Sequence, residues 1–248
     1  MPHYGCGFAK MLKAIIFDCD GVIVDSEPNH LKAFQSVLND IGISLSKEEY
    51  DKTYLAMDDK GCFETVLAVH SRLADKATVK KLIHQKMAIY QAFSKKKLHL
   101  YTGVVDFVKS VQGRYKLAIA SGAFRCEIKM ALDQGGIRAA FPVIVSAQDV
   151  KQCKPHPEPF LTALAQLNSR SRLLQPAAVI PIDLIMPHEC VVIEDAIHGV
   201  MAARAAGMKT VAVTNSYPRE PLLGLADHVV DSLIELTPET MENLCKMN

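Results

Sequence analysis

The chain lacks an excess of charge, a paired-cysteine motif, a long apolar run and an internal repeat, and each absence removes a class of function. With 28 lysines and arginines against 27 aspartates and glutamates, its formal charge is +1. No electrostatic footprint marks nucleic acid or an anionic membrane as its partner. The one compact basic run, Lys95-Lys96-Lys97, reads as a solvated face. The cysteines (Cys6, Cys19, Cys62, Cys126, Cys153, Cys190 and Cys245) form no CxxC pair and are odd in number. That pattern suits free thiols in a reducing compartment better than a disulfide framework or a zinc site. No stretch reaches the roughly 18 to 20 apolar residues that span a bilayer. The first ten residues, MPHYGCGFAK, lack the apolar core of a signal peptide, and Met11 is a candidate alternative start. The expectation is a soluble cytoplasmic protein with a loose N-terminal extension over residues 1–12.

What is present is an ordinary globular composition, 49% hydrophobic and 22% charged over 248 residues. That length holds one large domain, or one domain with a smaller insertion. Five short apolar runs rich in β-branched residues stand out: Ala14 to Phe17, Lys116 to Ala120, Val143 to Val145, Cys190 to Ile193 and Thr210 to Val213. Strands buried on both faces have this composition. Helical patterns separate the later runs, at Glu127 to Gln134, Glu158 to Leu167 and Ile197 to Ala206, the last closing on Gly207. Strand alternating with helix predicts an α/β fold, a Rossmann-like parallel sheet core with helices on both faces. Residues 28–98 break the alternation and read as helices only. Leu31, Phe34, Leu38 and Ile41 recur at helical spacing, Ser46 and Glu49 have capping-box spacing, and Val79, Leu82, Ile83, Met87 and Tyr90 form one stripe. The predicted organisation is a core of residues 13–27 and 99–248 with an inserted α-helical cap domain of residues 28–98. The proline-broken stretch 168–187, with Pro176, Pro181 and Pro187, reads as a packed loop.

Polar groups gather where the predicted strands end. Asp18 and Asp20 follow the first run, Ser121 and Gly122 the second, Lys154 the loop after the third, and Glu194 with Asp195 the fourth. Taken singly, each is an ordinary turn or cap residue. In a parallel sheet they converge on one crevice. Several carboxylates with oxygen ligands describe a site for a hard cation such as Mg²⁺. A hydroxyl, the backbone N–H groups of Ser121, Gly122 and Ala123, and one lysine describe a cradle for a phosphoryl group. Cation and cradle together suit phosphoryl transfer, with one carboxylate as nucleophile and its neighbour two residues on as acid and base. Asp25 and Glu27 read as caps of a helix beginning near His30, and His156 with Glu158 as the start of the helix after Lys154.

In this order, DCDGV, the Ser121 of ASGA, the Lys154 of KPHPEPF and the EDAIHG of Glu194 to Gly199 resemble the four motifs of the haloacid dehalogenase superfamily of aspartyl-phosphate phosphotransferases. The resemblance implies Asp18 as nucleophile, Asp20 as the residue that protonates the leaving oxygen and later activates water, and Ser121 and Lys154 as holders of the phosphoryl oxygens. It implies a Mg²⁺ site of Asp18, the backbone carbonyl of Asp20, Asp195 and Glu194. Having both Asp20 and the metal carboxylates, the chain differs from the superfamily's dehalogenases and phosphonate-cleaving members. DGVIVDSEPNH also resembles the β-phosphoglucomutase-like branch, which places His30 at a substrate-binding position. The segment Tyr54 to Glu64 has no arginine where the mutase cap grips a second phosphate. The resemblance therefore favours a Mg²⁺-dependent phosphatase of small phosphorylated metabolites, sugar or polyol phosphates, over a sugar phosphomutase. A non-catalytic binding protein is the remaining alternative. No motif names the substrate or the oligomeric state.

Overall fold

The computed structural model describes residues 12–54, 57–96, 98–173 and 184–246. The described strands are β1 (Ala14–Phe17), β2 (Val24–Asp25), β3 (His99–Leu100), β4 (Lys116–Ala120), β5 (Val143–Val145), β6 (Cys190–Glu194), β7 (Lys209–Val213) and β8 (His228–Val230). Between β2 and β3 lie α1 (Glu27–Asn39), α2 (Lys47–Glu49), α3 (Asp59–Val69) and α4 (Lys76–Lys96). After β3 come α5 (Val104–Val111), α6 (Arg125–Gln134), α7 (Glu158–Leu173), α8 (Ile197–Ala205), α9 (Arg219–Leu222) and α10 (Pro238–Lys246). The chain forms two compact units, one of residues up to Val24 and from Leu100 onward, the other Asp25–His99.

The larger unit is a six-stranded sheet of order β5-β4-β1-β6-β7-β8, every pair parallel. From β1 the chain builds outward through β4 and β5, then returns to the other side of β1 and builds through β6, β7 and β8. Strand order therefore reverses between β1 and β6, where the open crevice of such a sheet lies. Continuous burial explains the sequences: β1 and β6 are buried at every residue, so both pleat faces are apolar up to Glu194, the buried carboxylate that ends β6. On one face Ala14, Ile16, Ala118, Ala120, Val145 and Val192 pack with Phe160 and Leu164 of α7 and Ala202 and Ala203 of α8. The alternate side chain Phe17 meets Phe107 of α5 at 6.0 Å and Phe141 at 5.4 Å between ring centroids. β8 is a strand that the apolar runs did not predict; it is three residues long and its first is half-exposed.

The helical unit has its own core of Phe34, Val37, Leu38, Tyr50, Phe63, Val66, Val79 and Leu82, among others. Ser46 caps α2 by accepting the Glu49 N–H at 3.1 Å, as its spacing predicts. The stripe on α4 holds a surprise: the buried positions are Val79, Leu82, Lys86, Tyr90 and Ser94, so Lys86 turns inward where Met87 was expected. At 2% exposure, Lys86 is paired with Asp59 at 2.7 Å and lies over the Phe34 and Tyr90 rings. Its ammonium faces the two rings while keeping a charged partner in Asp59. Glu27 opens α1, but its carboxylate accepts the Tyr50 hydroxyl at 2.9 Å, and Ser26 stands at the N-cap.

Helix α7 runs on to Leu173, so the first part of the expected loop 168–187 is helical; residues 174–183, including Pro176 and Pro181, lie outside the described residues. The expected N-terminal extension also lies outside them except Leu12, which is buried. Among the described residues, Cys19, Cys62, Cys153 and Cys190 are free thiols. No helix among the described residues is long and apolar enough to cross a membrane.

Candidate active site

The parallel register brings the strand ends level. Phe17 of β1 stands beside Ile119 of β4 and Ile193 of β6, so Asp18, Ala120 and Glu194 form the next row and Cys19, Ser121 and Asp195 the one after. Asp18 is locked there by its own N–H, which donates to the Ile193 carbonyl at 2.9 Å. The chain then turns at Gly21, whose φ of +78° suits only glycine, and Gly21 N–H donates to the Val24 carbonyl at 2.9 Å.

Lys154 is the hub. Its Nζ donates to Asp18 Oδ1 in a very short contact and to Glu194 Oε1 at 2.6 Å, and it stands 5.0 Å from the Phe160 ring centroid. The loop carrying it is held by Glu158, whose carboxylate accepts the N–H groups of Lys151 and Gln152 at 2.8 and 3.0 Å. The second oxygen of Glu194 accepts the N–H groups of Asp195 and Ala196, both at 2.9 Å. Both Glu194 oxygens are thus engaged by the protein itself.

Beneath Glu194 runs Gly199 of α8, where a Cβ would come within 1.8 Å of Glu194 Oε1. Gly199→Ala is therefore expected to push Glu194 off Lys154, costing about 1–3 kcal/mol of stability and slowing turnover. Chemical denaturation and steady-state assays of this variant check it; wild-type values in both would mean that the helix shifts without disturbing Glu194.

Asp195 is buried, and its Oδ2 accepts the Ser216 hydroxyl in a very short contact. Asn215 Nδ2 donates to the Gly21 carbonyl at 2.7 Å. Neither Asn215 nor Ser216 was singled out from sequence; the available signal was their place directly after β7, in the row of strand ends. Ser121 is buried, and its Oγ accepts the Ala123 N–H at 3.2 Å, leaving the Gly122 backbone exposed beside it. His30 belongs to the other unit. There its ring stacks on Tyr90 at 4.1 Å between centroids, and its Nδ1 lies 2.6 Å from Lys86 Nζ. An ammonium can only donate, so His30 accepts through Nδ1 and carries its proton on Nε2. Burial and the Lys86 charge hold its pKa well below the usual histidine value.

The carboxylates of the larger unit crowd a single cation. Burial, with the charges of Glu194 and Asp20, pushes Asp18 up to about 7 although Lys154 pulls it down. Burial, then Glu194 and Asp18, hold Asp195 well above the usual carboxylate range. Burial alone would lower Lys154, but Asp18 and Glu194 outweigh it and raise its pKa. A group that folds with a raised pKa loses stability as pH climbs from its unfolded value to its folded one, because the folded state holds a proton that the unfolded chain has released. For Asp18 that window runs from 3.8 to about 7. Without metal, the stability of Asp18→Asn relative to the unsubstituted protein should therefore rise as pH goes from about 4 to about 7. Denaturation of both in chelator across this range measures it, and a flat difference would refute the assignment.

The donor set suits a hard cation: several oxygens and more negative charge than Lys154 balances. Among the described residues no three His, Cys, Asp or Glu side chains form a ready-made metal cage. Mg²⁺ needs none, because it keeps several waters and uses one or two carboxylates. Asp18, Asp195 and the Asp20 carbonyl are the oxygens that would serve it.

Comparison with known proteins gives an independent line. The family profile described as haloacid dehalogenase-like hydrolase matches residues 15–213. The chain is 30% identical over 200 residues to the fructose-1-phosphate phosphatase YqaB of Escherichia coli, covering 80% of this chain and 95% of that one. It is 29% identical over 218 residues to the pyrophosphatase PpaX of Bacillus pumilus, covering 86% and 88%. Among solved structures, a putative β-phosphoglucomutase from Thermotoga maritima superposes with a TM-score of 0.69 at 25% identity, covering 95% of this chain and 99% of that one.

Proposed function

The chain belongs to the haloacid dehalogenase-like hydrolase family and is a phosphomonoester hydrolase, and from that premise we propose that it cleaves small sugar or polyol phosphates through an aspartyl-phosphate on Asp18, with Mg²⁺ bound at the site. The observation that carries this reading is Lys154, which ties Asp18 to Glu194 at the point where strand order reverses. The ion pair aims Asp18, pulls its raised pKa back down in part, and offers an ammonium to the phosphoryl oxygens.

In the first step an Asp18 oxygen forms a bond to phosphorus as the bond to the leaving oxygen breaks, and Asp20 gives that oxygen its proton. In the second, Asp20 takes a proton from water, the water oxygen bonds to phosphorus, and the bond to Asp18 breaks to release inorganic phosphate. Ser121 and the Gly122 N–H hold the phosphoryl oxygens, and the Ala123 N–H, which donates to Ser121 Oγ in the free protein, turns to them when substrate takes that hydroxyl. Asp18, Asp195 and the Asp20 carbonyl would hold Mg²⁺, while Glu194 anchors Lys154 and the turn after β6. Bound there, Mg²⁺ supplies positive charge that offsets the crowded carboxylates and the phosphoryl group. The free thiols suit a cytoplasmic setting.

The sugar-phosphatase relative supports this substrate class, and the mutase-like structure keeps phosphomutase as a second reading. In the helical unit, Lys86 is already paired with Asp59 and His30, which weakens the case for a second phosphate grip there. The test is a panel of sugar, polyol and nucleotide monophosphates with Mg²⁺, including glucose 1-phosphate with a trace of sugar bisphosphate. Phosphate released in step with substrate loss supports hydrolysis. Isomerised sugar phosphate with little free phosphate would replace it with the mutase.

A further inference from the structure

The loop after β7 joins two parts of the site that sequence places far apart. Thr214 fixes its base: the Thr214 N–H donates to the Val230 carbonyl at 3.0 Å and its hydroxyl to Asp231 at 2.8 Å. From there Asn215 reaches the Gly21 carbonyl and Ser216 reaches Asp195 Oδ2. The same Oδ2 lies against Gly21, where a Cβ would come within 1.8 Å of it. The turn after Asp20, the Asp195 carboxylate and the Asn215-Ser216 pair are thus one packed unit.

Resting on the cation site read above, we propose that Asn215 and Ser216 are positioning residues that set two of its oxygen donors, the Asp195 carboxylate and the Asp20 carbonyl. A serine hydroxyl beside a carboxylate acts as donor, so Ser216 commits Oδ2 and leaves Oδ1 as the oxygen with capacity for a cation. Asn215 acts on the backbone. The Asp20–Gly21 peptide is planar and trans, so its carbonyl points opposite to the Gly21 N–H, which is already fixed on Val24. The next carbonyl, that of Gly21, is fixed by Asn215. With both sides of Gly21 tied, the Asp20 carbonyl has one orientation. Groups that orient metal ligands in this way change metal affinity by about 10- to 100-fold when removed.

The test uses Mn²⁺ alone, titrated into the full chain while the signal of the free ion is followed by electron paramagnetic resonance. Ser216→Ala and Asn215→Ala should each bind Mn²⁺ at least about 10-fold more weakly. Ser216→Thr, which keeps a hydroxyl donor, should restore most of the affinity. Thermal unfolding of Ser216→Ala in chelator should remain one cooperative transition with only a modest loss, that of a donor to the buried Asp195 carboxylate, because residue 216 is exposed and its removal opens no cavity. Asp195→Asn is the reference. Weak binding by Asp195→Asn with unchanged affinity in both loop variants would overturn the inference and leave the cation site standing. Unchanged affinity in Asp195→Asn as well would overturn the reading of the site itself. Failure of Ser216→Thr to recover affinity would remove the hydroxyl from the account.

Discussion

Asp18→Asn should reduce phosphate release by at least about 10³-fold while the protein stays folded. The substitution keeps the shape of the side chain and exchanges one carboxylate oxygen for an amide that cannot attack phosphorus. What holds residue 18 in place is unchanged, since its N–H bond to Ile193 belongs to the backbone and β1 remains buried between β4 and β6. The variant also relieves the crowding among Asp18, Asp20 and Glu194, which burial makes unfavourable. Lys154 retains Glu194 as its partner. Loss of turnover with an intact unfolding transition is thus the signature of a missing nucleophile, and the pair of measurements separates it from misfolding. Retention of substantial turnover would mean that water attacks phosphorus directly, and the covalent step at Asp18 would have to be abandoned.

How much of this was legible in the sequence depends on whether one physical cause acted alone. The inner strands were legible because double-sided burial demands an unbroken apolar run, as in AIIF and CVVI. At β8 the run shortens to HVV and the first residue is half-exposed, so the same rule has too little to work on. The α4 stripe failed at Lys86 because charge is normally read as solvent-facing. Here Phe34, Tyr90 and Asp59 together make an interior place for an ammonium, and those partners come from elsewhere in the chain. The candidate site shows the same division. Asp18, Ser121, Lys154 and Glu194-Asp195 could be placed together because each follows a strand of a parallel sheet. Neighbouring carboxylates could not be told apart that way: Glu194 turns both oxygens to protein donors while Asp195 gives one to Ser216. Asn215 and Ser216 escaped notice because Thr-Asn-Ser after a strand has the composition of any turn.

Lys154→Met is the second large expectation, and it tests whether this lysine does more than hold phosphate. The methionine keeps an unbranched stem but removes the ammonium that stands over the Phe160 ring between Asp18 and Glu194, two buried carboxylates. Leaving one side of a buried ion pair without its partner costs about 3–5 kcal/mol. Protonation of Asp18, whose pKa already stands at about 7, is the available escape, so the loss of stability should be largest above pH 7 and shrink toward pH 5. Added Mg²⁺ should recover part of it at high pH, since a cation that binds only the folded protein stabilises it by mass action. Turnover should fall by at least about 10³-fold and stay low at pH 5, where the fold has recovered, because Asp18 is then protonated and the phosphoryl oxygens have lost a charged donor. Denaturation curves at pH 5 and 8, with and without Mg²⁺, read the stability, and phosphate release at the same two values reads the chemistry. A penalty equal at both pH values would mean that Asp18 and Glu194 do not share their burden through Lys154. Full activity at either pH would remove the lysine from the reaction and leave it as a link between β1 and β6.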